Sequence, residues 1–399
     1  MTIMPRRSLH AVQVSFFNDP EGRSPAQLLD AWPTLANVAE ASSQSGIRVS
    51  VVQASTHSEH LVRDGVHYYF LPFGSAPLMN EDNRAFGELL GALAPDILHV
   101  HGLGFHRDVL SLHSLAPAIP IVLQDHADRP PRFWRRSAWR RGLSVAAGIS
   151  FCALEQARPF VDAKLVRPET NLYAIPESTS RFTPGDRQEA RRATRIAGDP
   201  ALLWVGHLNA NKDPLTVLEG ISAATRALSG LQLYCCFGTA PLLREVQARI
   251  AADSALRGRV HLLGRMPHER IEQLMRAADI FVQGSHREST GYSLIEALAC
   301  GLPPVVTDIP SFRSLTSPGP VGRLWPCGDP RALCDALQWV AARTDFRSRA
   351  AVRAHFDREL SFASLGSKLA SMYEDLLART RGQHRLDASV PDRAAVQTP

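Results

Sequence analysis

The sequence predicts an α/β protein built from two Rossmann-like, doubly wound domains that face a central cleft. Short runs rich in Val, Ile and Leu alternate with helical patterns, which is the rhythm of β-α units around a parallel sheet. Residues 175–186 interrupt this rhythm with two prolines and a glycine among small polar residues, and the rhythm then restarts. Two such domains in tandem would form a cleft between the carboxyl ends of their strands.

The elements follow in order along the chain. Ten strands are predicted, at residues 9–17, 47–53, 97–100, 119–123, 148–152, 202–205, 231–237, 260–263, 280–283 and 305–307. A helix is predicted at 27–43, and helical segments follow each strand of the second half. The expected domains are an N-terminal domain at 1–182, a C-terminal domain at 183–355, a helix at 356–380 that packs back toward the N-terminal domain, and a disordered tail at 381–399.

Length, composition and charge exclude several classes of protein. A chain of 399 residues fits two domains of about 100–200 residues each. The fractions of hydrophobic residues, 45%, and of charged residues, 21%, are typical of globular proteins. The net charge of +5 is too small at this length for a dedicated nucleic-acid binder, so no nucleic-acid partner is expected.

Cysteine usage and hydropathy predict the compartment. The six cysteines show neither C-x-x-C pairs nor the dense spacing of a secreted disulfide framework, which favours a reducing cytosol. No apolar run reaches the roughly 18 residues of a membrane span. The expected location is cytoplasmic, alone or with peripheral contact at the inner membrane face.

The segment at 285–307 predicts an anion site at a helix start. A strand ends near Gln283, and Ser289 or Thr290 is expected to cap the helix that follows. The helix dipole and the first N–H groups would bind a diphosphate. Those N–H groups belong to Gly291, Tyr292 and Ser293.

Two carboxylates bracket this helix start. A diphosphate would repel Glu288 and Glu296, so both are better suited to accept hydrogen bonds from hydroxyls, Glu288 from a sugar and Glu296 from a ribose. The alternative is an ordinary strand-loop-helix with surface glutamates.

A second polar loop follows the strand at 202–205 and contains Lys212. The chain has 44 basic residues, and only three of them are lysines: Lys164, Lys212 and Lys368. Because arginine is so much commoner here, a lysine in this loop indicates a specific role. Its compact charge suits a departing phosphate. The alternative is a solvated lysine at a helix start.

These segments resemble the retaining glycosyltransferases of family 4, whose two-domain architecture is called GT-B. The matching residues keep the order and spacing of the family's motifs; they are Gly206, Lys212, Leu263, Gly264, Ser285, Glu288, Gly291, Leu294, Glu296, Ala297, Gly301, Pro303, Val305, Val306, Thr307, Gly328, Asp329 and Leu333. The resemblance implies that the N-terminal domain binds the acceptor and the C-terminal domain binds the nucleotide sugar.

The resemblance also implies roles for particular residues. Glu288 would contact the donor sugar, Glu296 the ribose, Lys212 the diphosphate, and the loop at Arg265 and Met266 the base. The donor-binding set is completed by Gly206, His207, Gly291, Tyr292, Ser293 and Leu294. Neither a cofactor nor a metal ion is expected.

Two departures from the family pattern matter. His207 stands where the family usually has arginine, which weakens the diphosphate clamp by one permanent charge. Residues 176–182 look like a shortened form of the family's linker.

Three histidines of the N-terminal domain are candidates for chemistry. His126 corresponds to the family's active-site histidine near the transferred sugar; alternatively it satisfies a loop carbonyl. His99 and His101 share one face of a strand, an arrangement that two metal ligands can adopt. No third ligand cluster accompanies them, so metal-free donor binding is favoured.

Residues 129–141 hold six arginines, no acidic residue, and Phe133, Trp134 and Trp139. This pattern predicts a basic, aromatic helix on an anionic membrane that presents a lipid-linked or glycan acceptor. The alternative is a solvated helix whose tryptophans pack on the sheet.

The residues and the resemblance together predict a retaining, metal-independent glycosyltransferase of the hexosyltransferase type. It would move a sugar from a nucleotide diphosphate sugar to a glycan, lipid-linked or small-molecule acceptor, as in polysaccharide biosynthesis, with His126, Glu288 and Lys212 as catalytic residues. The alternatives are an epimerase or phosphorylase of the same architecture, or a noncatalytic sugar-nucleotide-binding partner in a glycan assembly complex.

Overall fold

The computed structural model describes residues 8–72, 81–317, 321–343 and 346–389. The chain divides into two compact units, which we call the first unit (residues 1–177 and 365–399) and the second unit (residues 178–364). The first division thus falls five residues before the predicted boundary at 182, and the chain returns to the first unit at Leu365.

The first unit contains an eight-stranded sheet. Its strands are β1 (His10–Ser15), β2 (Arg48–Ser55), β3 (Glu59–Arg63), β4 (Val66–Pro72), β5 (Ile97–His101), β6 (Ile121–Gln124), β7 (Gly148–Phe151) and β8 (Asn171–Ala174). Their order is β3-β4-β2-β1-β5-β6-β7-β8, and all neighbours pair in parallel except β3 with β4. The chain therefore changes direction across the sheet between β1 and β5, which is the switch point of a doubly wound sheet.

The helices of the first unit before residue 178 are α1 (Pro25–Ala31), α2 (Pro33–Gln44), α3 (Glu81–Leu93), α4 (His106–Leu115), α5 (Arg136–Leu143) and α6 (Arg158–Asp162). The single helix predicted at 27–43 is wrong, because two helices meet at Trp32. Pro33 has no N–H with which to continue the ladder of α1, and instead it opens α2.

The second unit contains a six-stranded, wholly parallel sheet. Its strands are β9 (Ala201–Val205), β10 (Gln232–Cys236), β11 (Val260–Gly264), β12 (Ile280–Gln283), β13 (Pro304–Thr307) and β14 (Arg323–Trp325). The order β11-β10-β9-β12-β13-β14 places the switch point between β9 and β12.

The helices of this unit are α7 (Arg187–Thr194), α8 (Pro214–Ala224), α9 (Leu243–Ala252), α10 (His268–Ala277), α11 (Tyr292–Ala299), α12 (Pro310–Thr316), α13 (Pro330–Ala341) and α14 (Phe346–Glu359). The last helix, α15 (Phe362–Ser389), begins in the second unit and continues in the first. Leu369, Met372, Tyr373 and Leu376 of α15 are buried. Because α15 runs to Ser389, the tail predicted from 381 is corrected for residues 381–389; residues 390–399 lie outside the described part of the chain.

The predicted α/β class with two doubly wound sheets is confirmed. All ten predicted strands are present, with ends that differ by at most two residues. The sequence missed β3, β4, β8 and β14. Of these, β3, β8 and β14 are edge strands, which are not buried on all sides and lack the continuous apolar run of a central parallel strand.

Candidate functional site

Two loops meet at the switch point of the second sheet. The loop after β9 carries Lys212, and the loop after β12 carries Glu288. The Lys212 Nζ atom lies 2.5 Å from Glu288 Oε1, and the two side chains are only 14% and 15% exposed. Hydrogen bonds join the loops directly, since His286 N–H donates to the carbonyl of Asn211 at 2.8 Å. The structure therefore brings together the predicted phosphate and sugar residues and pairs their charges.

The helix start beside this pair differs from the predicted one. Gly291 has a φ of 103° and is the N-cap of α11, which has no side-chain cap. The prediction that Ser289 or Thr290 caps the helix is wrong, because Gly291 lies outside helical dihedrals and α11 begins only at Tyr292. A Cβ on Gly291 would lie 2.6 Å from Phe312, so both the backbone angle and the packing require glycine here.

The helix-start N–H groups are positioned by this turn. The helical ladder of α11 begins with Leu294 N–H, which donates to the carbonyl of Gly291 at 3.0 Å. Helix geometry leaves the N–H groups before that position outside the ladder, and these are the groups of the predicted donors Gly291, Tyr292 and Ser293. The Leu294 side chain is buried, and Tyr292 is exposed. Leu294 thus contributes to the core, and only its backbone belongs to the helix start.

Glu296 has a partner that the sequence did not reveal. His268, the first residue of α10, places Nε2 2.6 Å from Glu296 Oε1. This hydrogen bond raises the pKa of His268, against the effect of partial burial. Because Arg265 and Met266 lie just before α10, the contact brings the predicted base loop next to the predicted ribose residue.

His207 follows β9 and is exposed. Its Nδ1 accepts a hydrogen bond from Thr239 N–H at 3.1 Å. An accepting nitrogen carries no proton, so a neutral ring must carry its proton on Nε2. The preceding Gly206 lets the loop pass close to its neighbours, since a Cβ there would lie 3.3 Å from Gln283 and 3.6 Å from Lys212.

His126 has its own constellation, in the first unit. Its Nδ1 lies 2.5 Å from Oε2 of Glu177, and its Nε2 lies 3.1 Å from Nδ1 of His101. The alternative that His126 satisfies a loop carbonyl is therefore not what these contacts show. The sequence analysis did not predict a role for Glu177, because residues 176–182 were interpreted only as a shortened linker. The available signal was a single acidic residue in this otherwise mostly small and polar segment.

The acidic residues around His126 and its burial shift its pKa in opposite directions. Burial alone would lower the pKa of His126, but the Glu177 carboxylate, with Asp125 and Asp128, raises it above the ordinary value. The pKa of Asp125 is raised to about 7, by burial first and then by the charges of Asp128 and Glu177. Burial lowers the pKa of His101 well below its usual value.

His99 and His101 do share a face of β5, with ring centroids 4.7 Å apart. The Nδ1 atom of His99 lies 2.7 Å from the Tyr373 hydroxyl of α15, and burial lowers the pKa of His99 to about 3. Among the described residues, no group of three or more His, Cys, Asp or Glu side chains could hold a metal ion.

The arginine-rich segment is divided rather than one helix. A single 3₁₀ turn, Phe133–Arg135, precedes α5. Trp139 is buried and stacks on His106 with centroids 5.1 Å apart. In contrast, Phe133 and Trp134 are 75% and 60% exposed. One tryptophan therefore packs as the solvated-helix alternative predicted, and the other remains at the surface. In the described part of the chain, no helix combines the length and hydropathy needed to cross a membrane.

The match to a known protein family lies within the second unit. Residues 186–355 match the family model described as "Glycosyl transferases group 1". A D-inositol 3-phosphate glycosyltransferase from Geodermatophilus obscurus is 32% identical over 269 residues, which cover 64% of this chain and 59% of that protein. A GDP-mannose:cellobiosyl-diphosphopolyprenol alpha-mannosyltransferase from Xanthomonas campestris is 27% identical over 65% of this chain and 69% of its own length. The chain thus spans less than two thirds of the first of these relatives.

Solved structures extend the likeness to nearly the whole chain. Sucrose-phosphate synthase from Thermosynechococcus elongatus superimposes with a TM-score of 0.67 at 18% identity, covering 93% of this chain and 100% of that one. Anabaena HepE in complex with UDP superimposes with a TM-score of 0.68 at 15% identity, covering 92% and 100%. At these identities the likeness concerns the fold, and it confirms the predicted GT-B fold.

Proposed function

We propose that this chain is a retaining glycosyltransferase that moves a sugar from a nucleotide diphosphate sugar to an acceptor hydroxyl without a metal ion. The observation that carries the proposal is the Lys212–Glu288 pair beside the start of α11, at the switch point where doubly wound sheets bind ligands. The match of residues 186–355 to a glycosyltransferase family model and the glycosyltransferase relatives support it.

The Lys212–Glu288 pair suits a donor that carries both an anion and hydroxyl groups. The diphosphate would take Lys212 as its cation, and a sugar hydroxyl would replace the ammonium as hydrogen-bond donor to Glu288. Each charge then exchanges one partner for another and neither is left unpaired. A free nucleoside diphosphate supplies only the first half of this exchange, so Glu288 favours the intact donor over the product.

Departure of the nucleotide diphosphate would be assisted mainly by electrostatics. The bond from the sugar C1 to the phosphate oxygen breaks, and negative charge grows on the diphosphate. Lys212 and the N–H groups at the start of α11 would stabilise that charge, and Nε2–H of His207 would add one neutral hydrogen bond. The acceptor oxygen then bonds to C1 on the same face, and its proton passes to the departing phosphate, as in the resembled family.

Glu296 would hold the ribose through its carboxylate. Its present hydrogen bond from His268 shows that the carboxylate already accepts from a donor on the side of the base loop. A ribose hydroxyl would share or replace that donor, while Arg265 and Met266 would contact the base.

The acceptor belongs to one of three chemical classes. The exposed Phe133 and Trp134, surrounded by arginines, favour an acceptor presented at an anionic lipid surface. Glycan and small-molecule acceptors are the other classes.

His207, in place of a permanently charged arginine, favours the second candidate function, a noncatalytic sugar-nucleotide-binding partner. An epimerase or phosphorylase of the same fold would use the donor differently.

A thermal-shift screen against UDP, GDP, ADP and their glucose and mannose conjugates tests the proposal. A ligand that binds only the folded state raises the midpoint of unfolding, and we expect one base to stand out. NMR of the anomeric proton then follows release or transfer of the sugar from that donor. Transfer with retention supports the proposal, binding without turnover favours the noncatalytic partner, and no shift with any nucleotide contradicts both.

A further inference from the structure

A buried acid lies directly against the histidine of the first unit. Glu177 is 4% exposed, and its Oε2 atom lies 2.5 Å from Nδ1 of His126. A carboxylate oxygen has no proton to donate, so a favourable ion pair with His126 requires the proton on Nδ1. The proton of the contact therefore belongs to His126 Nδ1.

The other ring nitrogen of His126 has a weaker partner. His126 Nε2 lies 3.1 Å from Nδ1 of His101. Burial, reinforced by His99 and His126, keeps the pKa of His101 well below its usual value, so His101 is neutral. With His126 protonated, Nε2–H donates to His101. This longer contact with an uncharged ring is easier to exchange than the ion pair at Nδ1.

Among the described residues, ionisable groups from three parts of the first unit face His126. Asp125 and Asp128 come from its own loop, Glu177 from the segment after β8, and His101 from β5, with His99 behind it. His99 and His101 are neutral, and Glu177 is the acid that forms an ion pair with the His126 ring. A positive ring at His126 is therefore balanced by an acid that the protein itself supplies.

We infer that Glu177 is a positioning residue for His126: it holds the proton on Nδ1 and the positive charge on the ring, so that Nε2–H is presented to a hydroxyl of the transferred sugar. This role rests on the proposed glycosyltransferase function and on the prediction, implied by the family resemblance, that His126 lies near the transferred sugar. Glu177 acts only through His126, and His101 keeps Nε2–H oriented until a sugar hydroxyl replaces it.

The test is the Glu177→Gln variant, read by NMR titration of the imidazole nitrogens and by the pH profile of kcat with the donor identified in the thermal-shift screen. The glutamine carbonyl can still accept from Nδ1–H, but it carries no charge. We expect the pH at which His126 is half protonated to fall by about 1 to 3 units. The protonated ring is the active form, so the alkaline limb of kcat should move down by the same amount, with KM for the donor unchanged.

The control is Glu169→Gln, which makes the same change in net charge at an exposed carboxylate paired with Arg167. It should leave both the titration of His126 and the profile as in the wild type. His126→Gln assigns the resonances by removing them.

Two results would overturn the inference. One is an unperturbed or lowered half-protonation pH for His126 in the wild-type protein, a measurement that needs no variant to fold. The other is a shifted titration in Glu177→Gln without movement of the alkaline limb. If the wild-type protein binds no nucleotide, the proposed function fails; a normal donor affinity with an unperturbed His126 instead removes only the role of Glu177.

Discussion

The two sheets end in polar constellations of opposite character. In the second unit, Lys212 and Glu288 stand on loops and are each about one-seventh exposed, so a ligand can reach and separate them. In the first unit, Glu177 is almost fully buried, and both ring nitrogens of His126 have protein partners. The first arrangement suits the exchange of partners with a ligand, and the second fixes the orientation and charge of one side chain.

Burial explains this difference. A charge that is removed from water needs a permanent partner, because an unpaired buried charge is strongly destabilising. A charge that keeps some access to water can lose its partner to a ligand at modest cost. The residues expected to bind by exchange therefore keep part of their side chains in contact with water, 14% and 15% for Lys212 and Glu288, while the buried acid Glu177 stays with its histidine.

The largest expected effect comes from removing the exchangeable cation. Lys212→Met keeps most of the aliphatic stem but leaves the departing phosphate without its charge, so kcat should fall by about 10² to 10³-fold. Steady-state kinetics with the identified donor measure the loss. Lys164→Met, at an exposed site of the first unit, is the matched control and should keep wild-type turnover; an equal loss there, or none at Lys212, would contradict the exchange.

The next effect concerns the helix start that the exchange requires. Gly291→Ala imposes a strained φ, costing about 1–2 kcal/mol, and places a Cβ against Phe312, costing about 1–3 kcal/mol more. Urea unfolding should register both losses, together with weaker nucleotide binding. Gly258→Ala carries the strain alone, because Gly258 has a φ of 73° with nothing within 4 Å of its Cβ. Equal destabilisation by the two variants would show that contact with Phe312 contributes nothing.

A smaller effect is expected at the predicted ribose residue. Glu296→Ala should weaken nucleotide binding by about 1.5–3 kcal/mol, the usual range for a hydrogen bond to a charged group. Calorimetry with the preferred nucleotide gives the value. Glu219→Ala, at an exposed position on α8 of the same unit, should leave the affinity unchanged. Unaltered affinity in Glu296→Ala would remove this carboxylate from the site and leave its contact with His268 as purely structural.

The smallest effect per residue is expected at the surface of the first unit. If residues 129–141 contact anionic lipid, each arginine contributes about 1 kcal/mol, and salt weakens the attraction. Replacing Arg135, Arg136, Arg140 and Arg141 with Gln should release the protein from anionic vesicles in a sedimentation assay, with nucleotide binding intact. Salt-insensitive recovery of both proteins in the supernatant would support a solvated surface and an acceptor that is not lipid-linked.

The sequence by itself determined most of the fold and the positions of the polar loops after β9 and β12. Central parallel strands are buried on both faces, so their apolar runs can be read directly. Of the four edge strands in the two described sheets, β11 was predicted and β3, β8 and β14 were not. Gly291 and Lys212 were also readable, because a glycine before a helix and a rare lysine after a strand reflect local backbone geometry and local charge.

Only the tertiary structure decided which charged groups meet. Lys212 pairs with Glu288 across 76 residues, and His268 with Glu296 across 28. The Glu177, His126 and His101 contacts join the ends of three separate chain segments. Periodicity and spacing describe neighbours along one element, but these partners are set by strand order and by how deeply each loop is buried. Strand order and burial together place Glu177, for which the sequence predicted no role, beside His126.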